Sequence, residues 1–378
     1  MTGSSTGSGS SCPPNDRERP DPTIARDVPL APRCTLEVGG RASHFVEVDG
    51  EDHVREALAW ADERSLGVEV LGGGSNVLIA DRGLDALVMR VRSGEIRSLG
   101  GGVVDVAAGV TWDDLVAWTV REDLAGLECL SGIPGDVGAA PMQNVGAYGQ
   151  EVGETIERVV TVSRRTGERV EMSAAECDFG YRDSVFKREA AGEHVITEVR
   201  FRLQPGGAPT IRYPELERAV LEQRGERTLA SVRETVIALR RRKSMVLDPQ
   251  DDNRRSAGSF FVNPVLDDDA LKRTRAQVRD ALGESVAMPS YPAEGGTKIP
   301  AAWLIERAGF VKGTTCGHVG ISTNHSLAII NRGGASALEL VAFATEVRAT
   351  VRERFAVELH PEPRLLGFRA EETAALVG

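Results

Sequence analysis

Two glycine-rich segments and one run of cations hold most of the chemistry that this chain could do. In LGGGSNVLIA, Gly72, Gly73, Gly74, Ser75 and Asn76 stand between two apolar stretches. Successive residues without a Cβ let backbone N–H groups come close to an anion, and a concave run of such donors cradles phosphate. A tight β-turn would use the same residues. A Walker A loop is excluded, because no Lys followed by Ser or Thr closes this loop, and a dinucleotide fingerprint should open a helix, whereas Val77, Leu78, Ile79 and Ala80 read as a strand. The second segment, SGIPGDVGAAPMQNVGAYGQ, spans 131–150 and carries Ile133, Val137, Ala139, Ala140, Met142 and Val145 where an exposed loop would carry Lys, Glu or Ser. Gln143 and Asn144 add side-chain amides. Long ordered loops in compact domains are usually functional, and this composition fits a flat ligand that needs both hydrogen bonds and apolar walls. In ALRRRKS, Arg240, Arg241, Arg242 and Lys243 close a predicted helix, where they can satisfy its C-terminus or hold the phosphates of a ligand. The six His and five Cys show no metal-ligand spacing and no disulfide framework, so no metal is expected and a reducing cytoplasm is the expected setting.

The elements that must position these groups follow from periodicity. ASHFVEV, DHVREALAWADERSLG, VEVLGGGSNVLIA and DALVMRV read as strand, amphipathic helix, strand, glycine loop, strand and strand. VVDVAAG is a further strand, and Thr111 opens a helix with Asp114 three residues on, a carboxylate variant of the capping box. VVTVS, VEM and VITEVRFRL are strands. Beyond Leu229 the chain turns helical, with LASVRETVIALRRRK, DDDALKRTRAQVRDAL, AAWLIERAG and ALELVAFATEVRATVRERF, interrupted by the strand-like SLAIIN.

The 378 residues exceed the roughly 250–300 at which one core stops growing, so two or three domains are expected. With 45 Lys+Arg against 56 Asp+Glu the net charge is −11, which argues against a general nucleic-acid binder. No 20-residue window is free of charges and turn clusters, so no membrane span is expected. Residues 1–22 read as a disordered Gly/Ser tail without a secretory signal.

GGGSNVL, IPGDVGAAPMQNVGAYGQE, GYRDSVFK, AGSFFVNP, KIPAAWLIE and HPEPRLLG, in that order from about residue 30 to about 368, resemble the motifs of the bacterial UDP-N-acetylenolpyruvoylglucosamine reductases, the MurB family. The resemblance implies an α+β fold: a two-subdomain FAD-binding domain of vanillyl-alcohol-oxidase type over 23–240 (about 23–95 and 96–240), a smaller α+β substrate-binding domain over 241–355, and a terminal segment, 356–378, returning to the first subdomain. It implies non-covalent FAD held by Gly72, Gly73, Gly74, Ser75, Asn76, Ile133, Pro134, Gly135, Gly138, Ala139, Gln143, Asn144, Gly146 and Ala147. It also implies NADPH as reductant, UDP-N-acetylglucosamine enolpyruvate as substrate, and contacts to that substrate from Tyr181, Tyr213, Arg240, Lys243 and Asn263.

The implied reaction reduces an enolpyruvyl ether. Hydride addition to one vinyl carbon makes an enolate-like intermediate, so the site needs stabilisation of negative charge and a proton donor. Arg182 of GYRDS can hold carboxylate and enolate oxygens bidentately, and Ser259 of AGSFFVNP matches the proton donor. Glu362 of HPEPRLLG matches a third catalytic position, where a carboxylate could orient the donor or help deliver the proton. The competing readings are an FAD-dependent oxidase of the same fold acting on a small alcohol or sugar, and a nucleotide-binding module without catalysis. No obligate protein partner is implied.

Overall fold

The computed structural model describes residues 23–222 and 227–378. The expected N-terminal tail, 1–22, lies outside the described residues.

The first layer is a four-stranded sheet in the order Ala25–Pro29, Arg41–Val48, Leu84–Val91, Gly67–Val70, antiparallel at the first pair and parallel at the other two. The helix Glu51–Asp62 lies in the crossover from Arg41–Val48 and buries Val54, Ala57, Leu58 and Ala61 at the 3–4 residue spacing of an amphipathic helix, while the pair Gly67–Val70 and Leu84–Val91 is joined through the glycine loop and Val77–Ile79. The second layer is a five-stranded antiparallel sheet, Arg169–Ser173, Ile156–Ser163, His194–Arg202, Val103–Ala107, Ile96–Gly100. The helix Trp112–Arg121 turns Trp112, Leu115, Val116 and Thr119 inward. Both sheets share one apolar core, which runs from Val46 and Leu87 to Val159 and Phe201.

Thr111 is the N-cap of that second helix, but its side chain accepts no hydrogen bond; Asp114 N–H instead donates to the Thr111 carbonyl at 3.1 Å, so the expected capping-box variant does not form. The reciprocal box does form at Ser336 and Glu339, which open the long helix Ala337–Phe355.

The C-terminal part combines two three-stranded sheets with the helices Asp268–Leu282, Ala301–Ala308, Ala337–Phe355 and Ala370–Val377. Its core is not confined to the expected 241–355: Leu36, Val38 and Leu78 enter it from the N-terminal part, and Val357, Leu359 and Leu376 from the terminal segment. Within that terminal segment, Arg364–Leu366 pairs in parallel with Val77–Ile79, directly after the glycine loop. Residues 356–378 therefore serve the C-terminal core through Val357, Leu359 and Leu376, and through Leu366 a separate apolar cluster with Leu30, Phe45, Ile79 and Val88. No helix among the described residues is long and apolar enough to cross a membrane.

Candidate active site

A cleft of about 570 Å³ opens where the two glycine segments face each other. The Gly72–Asn76 loop leaves the end of the strand Gly67–Val70 and is wedged between two other stretches of backbone. Thr35 N–H donates to the Gly74 carbonyl at 3.0 Å, and Ser75 Oγ donates to the Pro134 carbonyl at 3.0 Å. Gly74 has φ +64, and a Cβ there would lie 2.1 Å from the Arg33 carbonyl oxygen. The loop can therefore approach its neighbours only as glycine. Among the described residues, no protein acceptor takes the backbone N–H of Gly72, Gly73, Gly74, Ser75 or Asn76. Five consecutive unused donors lining a cleft form an anion cradle.

The second segment braces the other wall. Trp112 N–H donates to the Gly135 carbonyl at 2.9 Å, while Val137 and Gly138 donate to the Val110 and Ala108 carbonyls, each at 2.8 Å. Gly138 thus packs against Ala108 and has no free donor for a ligand; its missing Cβ would sit 2.7 Å from Ala108 Cβ. Ile133, Trp112, Val91, Met142, Val145 and Phe186 supply apolar lining. Asn76 Nδ2 donates to Gln143 Oε1 at 2.5 Å and to the Glu362 carbonyl at 3.3 Å, which ties the cradle to both the second segment and the chain's end.

Of the expected cofactor residues, Asn144 and Ala147 do not line the cleft. Asn144 is buried at φ +44, and its amide is used up inside the protein: Nδ2 donates to Glu151 at 2.8 Å and to the Gly180 carbonyl at 2.9 Å, while Oδ1 accepts from Gly153 N–H at 2.9 Å. Ala147 belongs to a short hairpin and pairs with Gln150. Asp136, which the sequence reading did not single out, does line the cleft. Its Oδ2 lies 3.6 Å from Arg90, has no hydrogen-bond partner, and burial raises its pKa. Burial makes this carboxyl easier to protonate than a free one, and in its neutral form it would donate a hydrogen bond to a ligand.

Next to the donor loop, residues distant in sequence converge. Arg182, at φ +57, donates from Nη2 to the Gly146 carbonyl at 2.7 Å, and its Nε lies 3.3 Å from Glu362 Oε1. The two side chains are 21% and 14% exposed. Burial raises the Glu362 pKa, and the Arg182 cation opposes that shift. Ser259 is brought alongside by backbone pairing: Glu362 N–H donates to the Phe260 carbonyl at 2.9 Å, and Val262 N–H to the His360 carbonyl at 3.0 Å. Arg182, Ser259 and Glu362 all line the cleft.

Arg240 also lines the cleft. Its Nη2 donates to the Met245 carbonyl at 2.6 Å, its Nε has no partner, and burial lowers its pKa to about 10. Arg241 and Arg242 are exposed. Lys243, Tyr213, Tyr181 and Asn263 are not part of the cleft lining. Lys243 pairs with Glu215 at 2.6 Å and lies 5.7 Å above the Tyr148 ring, against which Tyr213 packs edge-on at 5.8 Å. Asn263 Nδ2 donates to Tyr181 Oη at 3.3 Å, while its Oδ1 accepts from Ala301 N–H at 2.9 Å at the start of a helix. Tyr181 and Tyr213 remain 38% and 45% exposed.

The donor loop, the apolar walls and the cations beside them fit a dinucleotide ligand, and similarity to known proteins places the chain among α+β flavin-binding proteins. An FAD-binding domain profile matches residues 42–173, and the C-terminal domain profile of the UDP-N-acetylenolpyruvoylglucosamine reductases matches residues 248–366. The chain is 46% identical over 345 residues to the UDP-N-acetylenolpyruvoylglucosamine reductase of Streptomyces coelicolor, covering 90% of both chains. It is 46% identical to that of Thermobifida fusca, covering 91% of this chain and 98% of the other, and 44% identical to that of Mycobacterium tuberculosis, covering 91% and 95%. Among solved structures it is similar to MurB from Thermus caldophilus, with a TM-score of 0.63 at 26% identity over 91% of this chain and 99% of that one. The chain belongs to the UDP-N-acetylenolpyruvoylglucosamine reductase family and is an FAD-dependent oxidoreductase.

Proposed function

We propose that the protein reduces UDP-N-acetylglucosamine enolpyruvate to UDP-N-acetylmuramate with NADPH, in the cytoplasm, as a step of peptidoglycan precursor synthesis. The observation that carries this reading is the convergence of Arg182, Ser259 and Glu362 in the same cleft as the free-donor loop.

The free N–H groups of Gly72 to Asn76 would hold the FAD diphosphate, with the isoalloxazine against the apolar walls. A flavin bound there would supply the hydride chemistry, accepting hydride from NADPH and giving it to the vinyl carbon. The protein then has to manage the negative charge that develops on the neighbouring carbon and carboxylate. Arg182, fixed by Gly146 and Glu362, presents a cation to those oxygens without having to reorganise. The Ser259 hydroxyl gives its proton to the carbon next to the carboxylate. Burial raises the Glu362 pKa while the Arg182 cation opposes it, so this carboxyl takes up a proton more readily than a free one and could help deliver the proton or orient the donor. Arg240 and Lys243 would bind the substrate diphosphate, and Lys243 must exchange Glu215 for phosphate to do so. A simple alcohol oxidase has no use for these cations.

Anaerobic stopped-flow tests the reading. Ser259→Ala should keep bound flavin that NADPH bleaches at the normal rate, while reoxidation by UDP-N-acetylglucosamine enolpyruvate slows by orders of magnitude. Unchanged reoxidation sinks the assignment of Ser259.

A further inference from the structure

His325 has no role in the sequence reading or in the reaction as drawn so far, yet it is the side chain that touches Ser259: Ser259 Oγ lies 3.4 Å from His325 Nε2. The contact is built by backbone pairing. Phe260 N–H donates to the Leu327 carbonyl at 2.7 Å, which locks the segment carrying Ser259 against the loop carrying His325. Ser256 forms a β-bridge with Ile330 in the same register. The loop is held from its other side as well. Asn324 Nδ2 donates to Ser244 Oγ at 2.9 Å, Ser326 Oγ donates to Glu306, and Ala328 N–H donates to the His325 carbonyl at 3.1 Å. The imidazole therefore has little freedom to leave Ser259.

We infer that His325 is a positioning residue for the proton donor: as neutral imidazole it donates from Nε2–H to Ser259 Oγ, leaving the hydroxyl hydrogen aimed into the cleft. The inference rests on the reading of Ser259 as proton donor. A serine that must give up its own hydrogen can only accept from its neighbour, so Nε2 carries the hydrogen and Nδ1 the lone pair. In the step itself the Ser259 O–H bond breaks as the substrate C–H bond forms. The alkoxide left on Ser259 keeps the His325 hydrogen bond and recovers a proton from water after the product leaves. A hydrogen bond to an oxygen that becomes anionic strengthens as charge develops, which is how a weak acid such as serine is assisted.

The surroundings suit a neutral ring. Burial, helped by the cations Lys243, Lys312 and Arg240 against the opposing Glu215, lowers the His325 pKa to about 4. Around neutral pH the imidazole is uncharged and so keeps one donor and one acceptor nitrogen.

The test combines kinetics with a spectroscopic readout on the FAD-loaded protein. His325→Ala should leave flavin reduction by NADPH within about twofold of normal but slow reoxidation by about 100-fold, the usual effect of losing one donor to a developing oxyanion. His325→Gln, which keeps an N–H donor at similar reach, should recover most of that loss. Adding His325→Ala to Ser259→Ala should slow reoxidation no further. With ¹⁵N-histidine labelling, the resonances missing from the His325→Gln protein should show the neutral Nε2–H tautomer and stay unprotonated down to about pH 5. Normal reoxidation in His325→Ala, an equal defect in the Gln variant, or a charged or Nδ1–H ring would overturn the inference while leaving Ser259 standing. Normal reoxidation in Ser259→Ala would overturn both. Should the Ala variant fail to fold, the Gln variant and the wild-type resonance still decide the matter.

Discussion

Gly74→Ala probes the cradle most directly, because its effect can be worked out from local geometry and checked against an internal control. The added Cβ would stand 2.1 Å from the Arg33 carbonyl oxygen and 2.7 Å from Cys34 Cα, both backbone atoms that no side-chain rotation can clear. Ordinary contact begins near 3.4 Å, so the backbone must yield by more than 1 Å. Left-handed φ in a non-glycine residue costs about 1–2 kcal/mol, and overpacking of this kind adds about 1–3 kcal/mol. Gly100 has φ +84 with no atom within 4 Å of its Cβ position, so Gly100→Ala carries the first cost alone. The difference between the variants, about 2 kcal/mol, corresponds to roughly a 30-fold change in an equilibrium constant. It should appear as weaker FAD affinity if the loop shifts and opens the cradle, or as lower stability if the strain is held. Flavin fluorescence titration of the deflavinated protein and urea unfolding measure the two. If Gly74→Ala matched Gly100→Ala in both, the close-approach reasoning would be refuted.

Other outcomes follow from the same structure. Lys243→Met should raise KM for the UDP substrate by about 10–100-fold with less effect on kcat, since a charge-assisted bond is lost and Glu215 is left to repel phosphate. The same variant should raise the His325 pKa from about 4, because a cation that disfavours imidazolium is gone; ¹⁵N shifts would report it. Glu362 has a folded pKa above its ordinary 4.5, so ionising it costs stability, and the cost sets in as pH rises through that ordinary value towards the folded one. Glu362→Gln should therefore gain stability on the wild type as pH rises above the ordinary 4.5 in urea unfolding, and a flat difference would contradict the shift. Acid precipitation should release all the flavin. His194 lines the cleft with its Nδ1 2.9 Å from Thr161 Oγ1, and a pellet that stays yellow would point to covalent attachment there.

How far the site was legible in the sequence depended on the kind of group involved. The cradle could be read because its physics is local: residues 72–74 have no Cβ, and five neighbouring donors come from one stretch of chain. At Asn144 the sequence could not tell a ligand-facing amide from one that clamps its own loop, and here Glu151, Gly180 and Gly153 occupy it. Asp136 gave no signal, as an acid in a glycine loop usually caps or turns. Tyr181, Tyr213, Lys243 and Asn263 were named by resemblance, and they stand outside the cleft lining, where only a rim contact with a long substrate would use them.

The sequence by itself determined the local conformations, through apolar periodicity in the helices and strands and the glycines at close approaches, and six motifs in order marked the family. Only the tertiary structure decided which residues meet. The terminal strand lies beside Val77–Ile79, carrying Glu362 to Arg182, and the pairing of Phe260 with Leu327 sets His325 against Ser259. Such contacts join positions tens to hundreds of residues apart. They are fixed by buried backbone hydrogen bonds and shared cores, which no short stretch of residues encodes.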